Sequence, residues 1–175
     1  MTRNQTGLAE GDWLVHTLYG LGQIVGVDAK EIFGDKKHYY VVKTEQITYW
    51  LPIDDIDSER IRPVASKKAF EEALDILTHE PQKLDDNFRR RLIHIKNLIN
   101  DGSLQSKAIL IRDIAARNVQ KDIHINEKKI LENLQQQFVN ELMESEGINE
   151  NEAKKRLQEA LKLSCVNLKP KKPVF

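Results

Sequence analysis

The apolar positions of this chain follow two different periods. Over residues 1–65 they come in short runs rich in Val, Ile, Tyr and Trp: "WLVH", "GQIVGV", "KEIF", "HYYVVKT" and "ITYWLP". Divided by Gly20-Leu21-Gly22, Gly34-Asp35 and Glu45-Gln46, these runs predict five short strands joined by hairpins. Gly34-Asp35 suits a tight turn, where glycine tolerates positive φ. Pro52 ends the last strand because it cannot donate to a ladder. Five short strands bury an apolar face only if the sheet curls, so an SH3-like or Tudor-like β-barrel is expected over residues 11–65.

After Arg62-Pro63 the apolar residues recur every three or four positions. Ser66 can cap a helix carrying Phe70, Ala73, Leu74 and Leu77, ended by His79-Glu80-Pro81. Phe88, Leu92, Ile95 and Ile99 make a second stripe, stopped by Asn100-Asp101-Gly102. Leu104, Ala108, Ile111 and Ala115 make a third. Asn126 is the expected cap of a longer helix with Leu131, Leu134, Phe138 and Leu142, which Gly147 terminates. Asn149 caps a last helix with Ala153, Leu157, Ala160 and Leu161. The prediction is a two-domain α+β protein: the barrel, then a bundle of about five helices over residues 66–163. Residues 1–10 read as a flexible N-terminus and 164–175 as a basic disordered tail.

Charge is neutral in sum and uneven in place. Residues 1–65 carry 7 basic and 10 acidic side chains, whereas Phe88 to Arg117 carries 7 basic against 2 acidic. Such segregation predicts different partners for the two halves. No apolar run reaches the roughly 20 residues needed to span a bilayer, and the opening residues lack the apolar core of a signal peptide. A cytoplasmic protein without a membrane partner is expected. Cys165, the only cysteine, excludes an internal disulfide framework and a zinc site built on several thiolates.

The spacing Gly20-x-Gly22-x-x-x-Gly26 comes near a dinucleotide-binding fingerprint. That fingerprint needs a helix directly after the glycines to hold a pyrophosphate. Here Ile24-Val25 and Val27 continue a strand pattern, so the glycines belong to a barrel turn instead. Catalysis finds no constellation. His16, His38, His79, His94 and His124 are scattered, with no ligand or triad spacing. His16 reads as a turn residue or polar edge contact, Cys165 as a packing residue, and Asp54-Asp55 as a turn and helix-cap pair. No enzyme, cofactor or metal is expected.

"GDWLVHTLYGLGQIVGV", then "YYVVK" and "YWLP", resemble the RNA polymerase-interacting domain shared by the CarD/CdnL regulators and the transcription-repair coupling factor. "FRRRL", "NDGS" and "IRDIAARN" resemble the basic helix, the glycine-containing break and the Arg-Asp-led third helix of the CarD/CdnL helical domain. The resemblance covers nearly the whole chain, and the absence of helicase motifs excludes the full coupling factor. It implies a barrel that docks on the polymerase β subunit by adding strand edge to strand edge. By position, the matching residues are Lys30, Glu31 and Ile32, with Tyr49 and Trp50 on the returning strand. Ile32 and Trp50 have a rival reading as barrel core, whereas Lys30 has none.

The resemblance also implies a helical domain over promoter DNA at the upstream edge of the melted region, favouring the open complex. Arg89, Arg90, Arg91, Lys96, Arg112 and Arg117 are the candidate phosphate contacts, which carry little sequence information. A solvated helix face is the alternative. One position departs from the family: where its third helix carries a groove-wedging tryptophan, this chain has Ala115. A monomeric regulator on polymerase and DNA is the expectation. A protein-only adaptor on polymerase, favoured by Ala115, and an RNA-binding SH3-like module, disfavoured by the acidic barrel half, are the other readings.

Overall fold

The computed structural model describes residues 7–32, 35–54, 59–166 and 168, Ile32 by its backbone alone. The chain divides into two compact units between Val64 and Ala65. The first holds strands β1 (Trp13–His16), β2 (Gly20–Ile32), β3 (Asp35–Lys43), β4 (Thr48–Pro52) and β5 (Ile61–Arg62). All pair antiparallel, in the order β4-β3-β2-β1-β5. Leu14, Ile24, Tyr40, Val42 and Leu51 form the core, against which Leu8, Tyr49, Ile53 and Ile61 pack. Leu51 and Ile61 come from opposite ends of the strand order yet reach one cluster. The sheet therefore curls into the small Tudor-like barrel expected.

Two strands differ from the sequence reading. "GQIVGV" and "KEI" are one 13-residue strand, β2, rather than two. Gly26 does not break the strand; a register shift between Ile24 and Gly26 against β3 makes a bulge, which bends a strand while its pairing continues. The fifth strand is instead Ile61–Arg62, hydrogen-bonded to Val15 and His16 in β1. Gly34 and Asp55 lie outside the described residues, and with them the expected turn and cap pairs. Residues 8–10, expected as part of a flexible end, are held on the barrel. Tyr40 Oη donates to the Leu8 carbonyl at 2.9 Å, and the Asp12 carboxylate accepts from Ala9 N at 2.8 Å.

The bend after β1 is built by His16. Its Nδ1 accepts from the backbone N–H groups of Leu18 (3.1 Å) and Tyr19 (3.4 Å), and its ring stacks on Tyr19 at 4.5 Å. Gly20 closes the turn at φ +74°. Gly22 serves another purpose. A Cβ there would sit 2.7 Å from Val42 Cγ1, so the glycine lets β2 lie close over the buried valine.

The second unit contains α1 (Lys67–Thr78), α2 (Phe88–Asp101), α3 (Leu104–Gln120), α4 (Ile125–Glu146) and α5 (Glu150–Cys165). Ser66, Asn87, Ser103 and Asn149 cap four of them with side-chain oxygens on backbone N–H groups. Gly102 and Gly147 end α2 and α4 in the left-handed region. The cap of α4 stands two residues before the expected one. His124 caps the helix, and Glu127 reaches back to the His124 N–H at 3.0 Å, leaving Asn126 inside the first turn. Phe70, Ile95, Ile111, Ile114, Phe138 and Leu142 are fully buried at the centre. Ala65 is fastened to α4: its N–H donates to Glu141 Oε1 (3.1 Å) and its carbonyl accepts from Ser145 Oγ (2.6 Å). The helix α5 runs through Ser164 and Cys165, and Lys169, Lys171 and Lys172 lie outside the described residues.

Gly22→Ala should destabilise the barrel by about 1–3 kcal/mol, because the new methyl overpacks against Val42. A lowered urea midpoint for the barrel's unfolding is the expected reading; an unchanged one would remove the close-approach explanation.

Candidate functional site

β1 accompanies β2 only as far as Gln23, and the Asp12 and Gly11 backbones bond Ile24 just beyond it. From Val25 onward β2 pairs with β3 alone, so its other edge has no ladder partner among the described residues. Lys30, Glu31 and Ile32 lie on this half-paired stretch, opposite Lys37, Lys36 and Asp35. An unpaired edge of this kind is a template for another strand.

Alternation along β4 turns Leu51 inward and Trp50 outward. Trp50 is 45% exposed, so it is not barrel core. Its Nε1 donates to Asp28 Oδ2 at 3.1 Å, and Lys30 Nζ stands 3.4 Å from the ring centroid. Asp28, Lys30 and Trp50 thus form a clasp across the outer face, with a cation–π contact worth about 0.5–1 kcal/mol at an exposed site. Asp28 was missed in the sequence, although it stands two residues before Lys30 and so on the same strand face. Tyr49 departs from the expected edge contact. It is half-buried, 4.8 Å from Tyr19 and 5.6 Å from His16, with a hydroxyl that has no hydrogen-bond partner among the described residues. Burial, then the neighbouring Tyr19, push this phenol above the usual tyrosine range.

The basic run of the helical unit separates into inward and outward members. Arg91 is 5% exposed. Its Nε and Nη2 donate to the two Glu127 oxygens at 2.5 and 3.2 Å, and Nη1 donates to the Asp85 carbonyl at 2.6 Å. Arg112 is likewise buried, donating to Asp113 Oδ1 at 2.7 Å, while Asp113 also accepts from Gln82 N. Arg117 is largely covered and donates to Asp86 at 3.3 Å, and Lys121 joins the same carboxylate at 2.7 Å. Lys83 completes that group. Hydrogen bonds from Lys121, Lys83 and Arg117 hold Asp86 well below the usual carboxylate range.

Arg91, Arg112 and Arg117 therefore leave the expected surface set, because helix faces that join the core must match their charges internally. Arg89, Arg90 and Lys96 stay exposed on α2, Arg90 with Asp85 at 4.0 Å. Ala115 packs against the helical core, so its methyl group presents no ring to a groove. Glu127 escaped the sequence reading, yet it had a signal. Glu127, Leu131, Leu134 and Phe138 share one helical stripe, and an acid within such a stripe calls for a buried cation.

Residues 8–65 match the CarD-like/TRCF RID domain family, and residues 72–158 match the CarD C-terminal domain family. The chain belongs to the CarD/CdnL family. It is 29% identical over 146 residues to the Bacillus subtilis (strain 168) protein named "Putative transcription factor YdeB", covering 82% of this chain and 95% of that protein. Membership makes it a CarD-like transcription regulator of the kind linked to RNA polymerase. No described helix is long and apolar enough to cross a membrane.

Arg91→Ala leaves Glu127 buried without its cation, a loss of about 3–5 kcal/mol that should unfold the helical unit at much lower urea. Burial works to raise the Glu127 carboxyl, but hydrogen bonds from Arg91 and the His124 N–H outweigh it and lower the pKa. This contribution is complete above the pKa of an unfolded glutamate, about 4.3, and is lost as pH falls through the lowered folded value. Glu127→Gln should therefore be less stable at neutral pH and lose less on acidification, read as urea midpoints across an acid series. A parallel acid profile for the two proteins would show that the pair does not carry the effect.

Proposed function

We propose that the barrel holds the β subunit of RNA polymerase along the open β2 edge and that α2 rests on upstream promoter DNA, influencing open-complex formation. The observation that carries this reading is the sorting of cations in the helical unit. Those needed inside are matched by Glu127, Glu141, Asp113 and Asp86, whereas Arg89, Arg90 and Lys96 remain outward on one helix. Phosphates are the complement of such a face, and contacts of this type position a protein without reading sequence.

The barrel supplies the other half of the mechanism. Backbone groups on the open edge give affinity, and the Asp28–Lys30–Trp50 clasp presents a rigid aromatic surface beside them. Once the barrel is docked, the α2 face acts at a high effective concentration, so weak intrinsic DNA affinity is enough. A protein-only adaptor on polymerase is the second reading, favoured by the packed Ala115.

The two readings part on charge reversal. Arg89→Glu with Arg90→Glu in the full-length protein should keep polymerase capture and lose the effect on promoter opening. An unchanged effect on opening would favour the protein-only adaptor. Trp50→Ala, which removes an exposed ring and leaves the barrel core intact, should weaken polymerase capture at least severalfold. Undiminished capture would move the docking surface away from the clasp.

A further inference from the structure

Asp85 and Asp86 stand directly before Asn87, the cap of α2, and so beside the first turn that carries Arg89 and Arg90. The Asp86 carboxylate accepts from Lys121 Nζ at 2.7 Å and Arg117 Nη1 at 3.3 Å, and Lys83 Nζ stands 3.3 Å from its other oxygen. One carboxylate thus gathers three cations and cannot neutralise them all. Arg117 is largely covered, but Lys83 and Lys121 reach water, with 80% and 51% of their side chains exposed. Asp85 lies 4.0 Å from the exposed Arg90. Ion pairs as open as these contribute little to stability. Arg89 and Lys96, by contrast, have no ion pair among the described residues. Acids placed before a helix favour its N-terminus, and Asp85 does such work, its Oδ1 accepting from Asn87 N at 2.7 Å. No backbone N–H among the described residues donates to the Asp86 carboxylate, whose partners are all cationic side chains.

An exposed cation held by a carboxylate can exchange that partner for a phosphate. Pairing with a nucleic acid also releases condensed counterions, a gain that an isolated carboxylate does not give. We infer that Asp86, assisted by Asp85, is a built-in competitor for DNA phosphate. In the free protein it masks Lys83 and Lys121, while Asp85 masks Arg90, so that free duplex is held poorly. Docking of the barrel on polymerase raises the local phosphate concentration, and the three cations then change partners. The contact is autoinhibitory: it restrains the helical unit on bulk DNA and yields where the barrel has brought that unit to a promoter. This rests on the DNA-contacting reading above. It adds Lys83 and Lys121, absent from the sequence candidates, to the surface that meets phosphate.

The test measures binding of the full-length protein, without polymerase, to a fluorescently labelled duplex of mixed sequence over a salt series. Asp86→Asn should tighten binding roughly tenfold at low salt and steepen the salt slope by about 1 for each cation released to a phosphate. Glu159→Gln, which removes an exposed acid on α5, changes the net charge equally and should leave both quantities unchanged. In a Lys83→Gln, Lys121→Gln background, Asp86→Asn should lose most of its effect. Should Asp86→Asn fail to melt cooperatively, Asp85→Asn carries the test; it keeps an acceptor for the Asn87 N–H and should show a smaller rise of the same sign. Wild-type affinity and slope for the aspartate variant, with binding weakened by Arg89→Glu and Arg90→Glu, overturn the inference and spare the DNA reading. Wild-type behaviour of aspartate and arginine variants alike overturns both. A gain matched by Glu159→Gln, or undiminished without Lys83 and Lys121, also overturns the inference, since net charge and not a local exchange would then be responsible.

Discussion

A charge taken out of water must be matched, and that requirement shapes the helical half of this protein. Arg91 and Arg112 are deeply buried, each with a carboxylate within hydrogen-bonding distance, and Lys107 lies 4.0 Å from Glu141. Desolvation makes an unmatched cation there costly by several kcal/mol. The matching acids come from α3 and α4, so the basic helix α2 cannot rotate about its axis without breaking the Arg91–Glu127 pair. A fixed rotation decides which residues α2 shows to solvent. Arg89, Arg90, Ile93 and Lys96 face outward because Arg91 and Ile95 are held inward.

In the barrel the corresponding constraint is strand alternation on a curled sheet. The core needs Leu51 inward, which turns Trp50 outward to meet Asp28 and Lys30. The bulge at Ile24/Gly26 and the short β1 carry the far half of β2 beyond its second partner. Both features arise from building a small core. Their by-product is an open edge beside a fixed aromatic ring, which is what strand addition to a larger partner requires.

Local signals announced most of this. The helical stripes, the Ser66 and Asn149 caps and the stops at Gly102 and Gly147 depend on residues a turn apart, and the folded chain uses them as read. What escaped depends on distant partners. Gly26 looks like a turn until β3 pairs through it as a bulge, and Ile61–Arg62 is too short to announce itself without β1 alongside. Three consecutive arginines look alike as letters. Only Glu127, far along the chain in α4, separates Arg91 from Arg89 and Arg90. The half-buried Tyr49 and exposed Trp50 were likewise unresolved until the curl of the sheet assigned them opposite faces.

In the proposed function tethering unites the two halves: a barrel that grips polymerase would bring the cationic face of α2 to DNA that it would hold weakly alone. Site-specific photocrosslinking in the polymerase–promoter complex tests this most directly. A photoreactive residue at Asn97, on the exposed face of α2, should crosslink to DNA at the upstream edge of the bubble, and one at Gln158 on α5 should not. Crosslinks from Asn97 to polymerase alone, with none to DNA, would contradict the account.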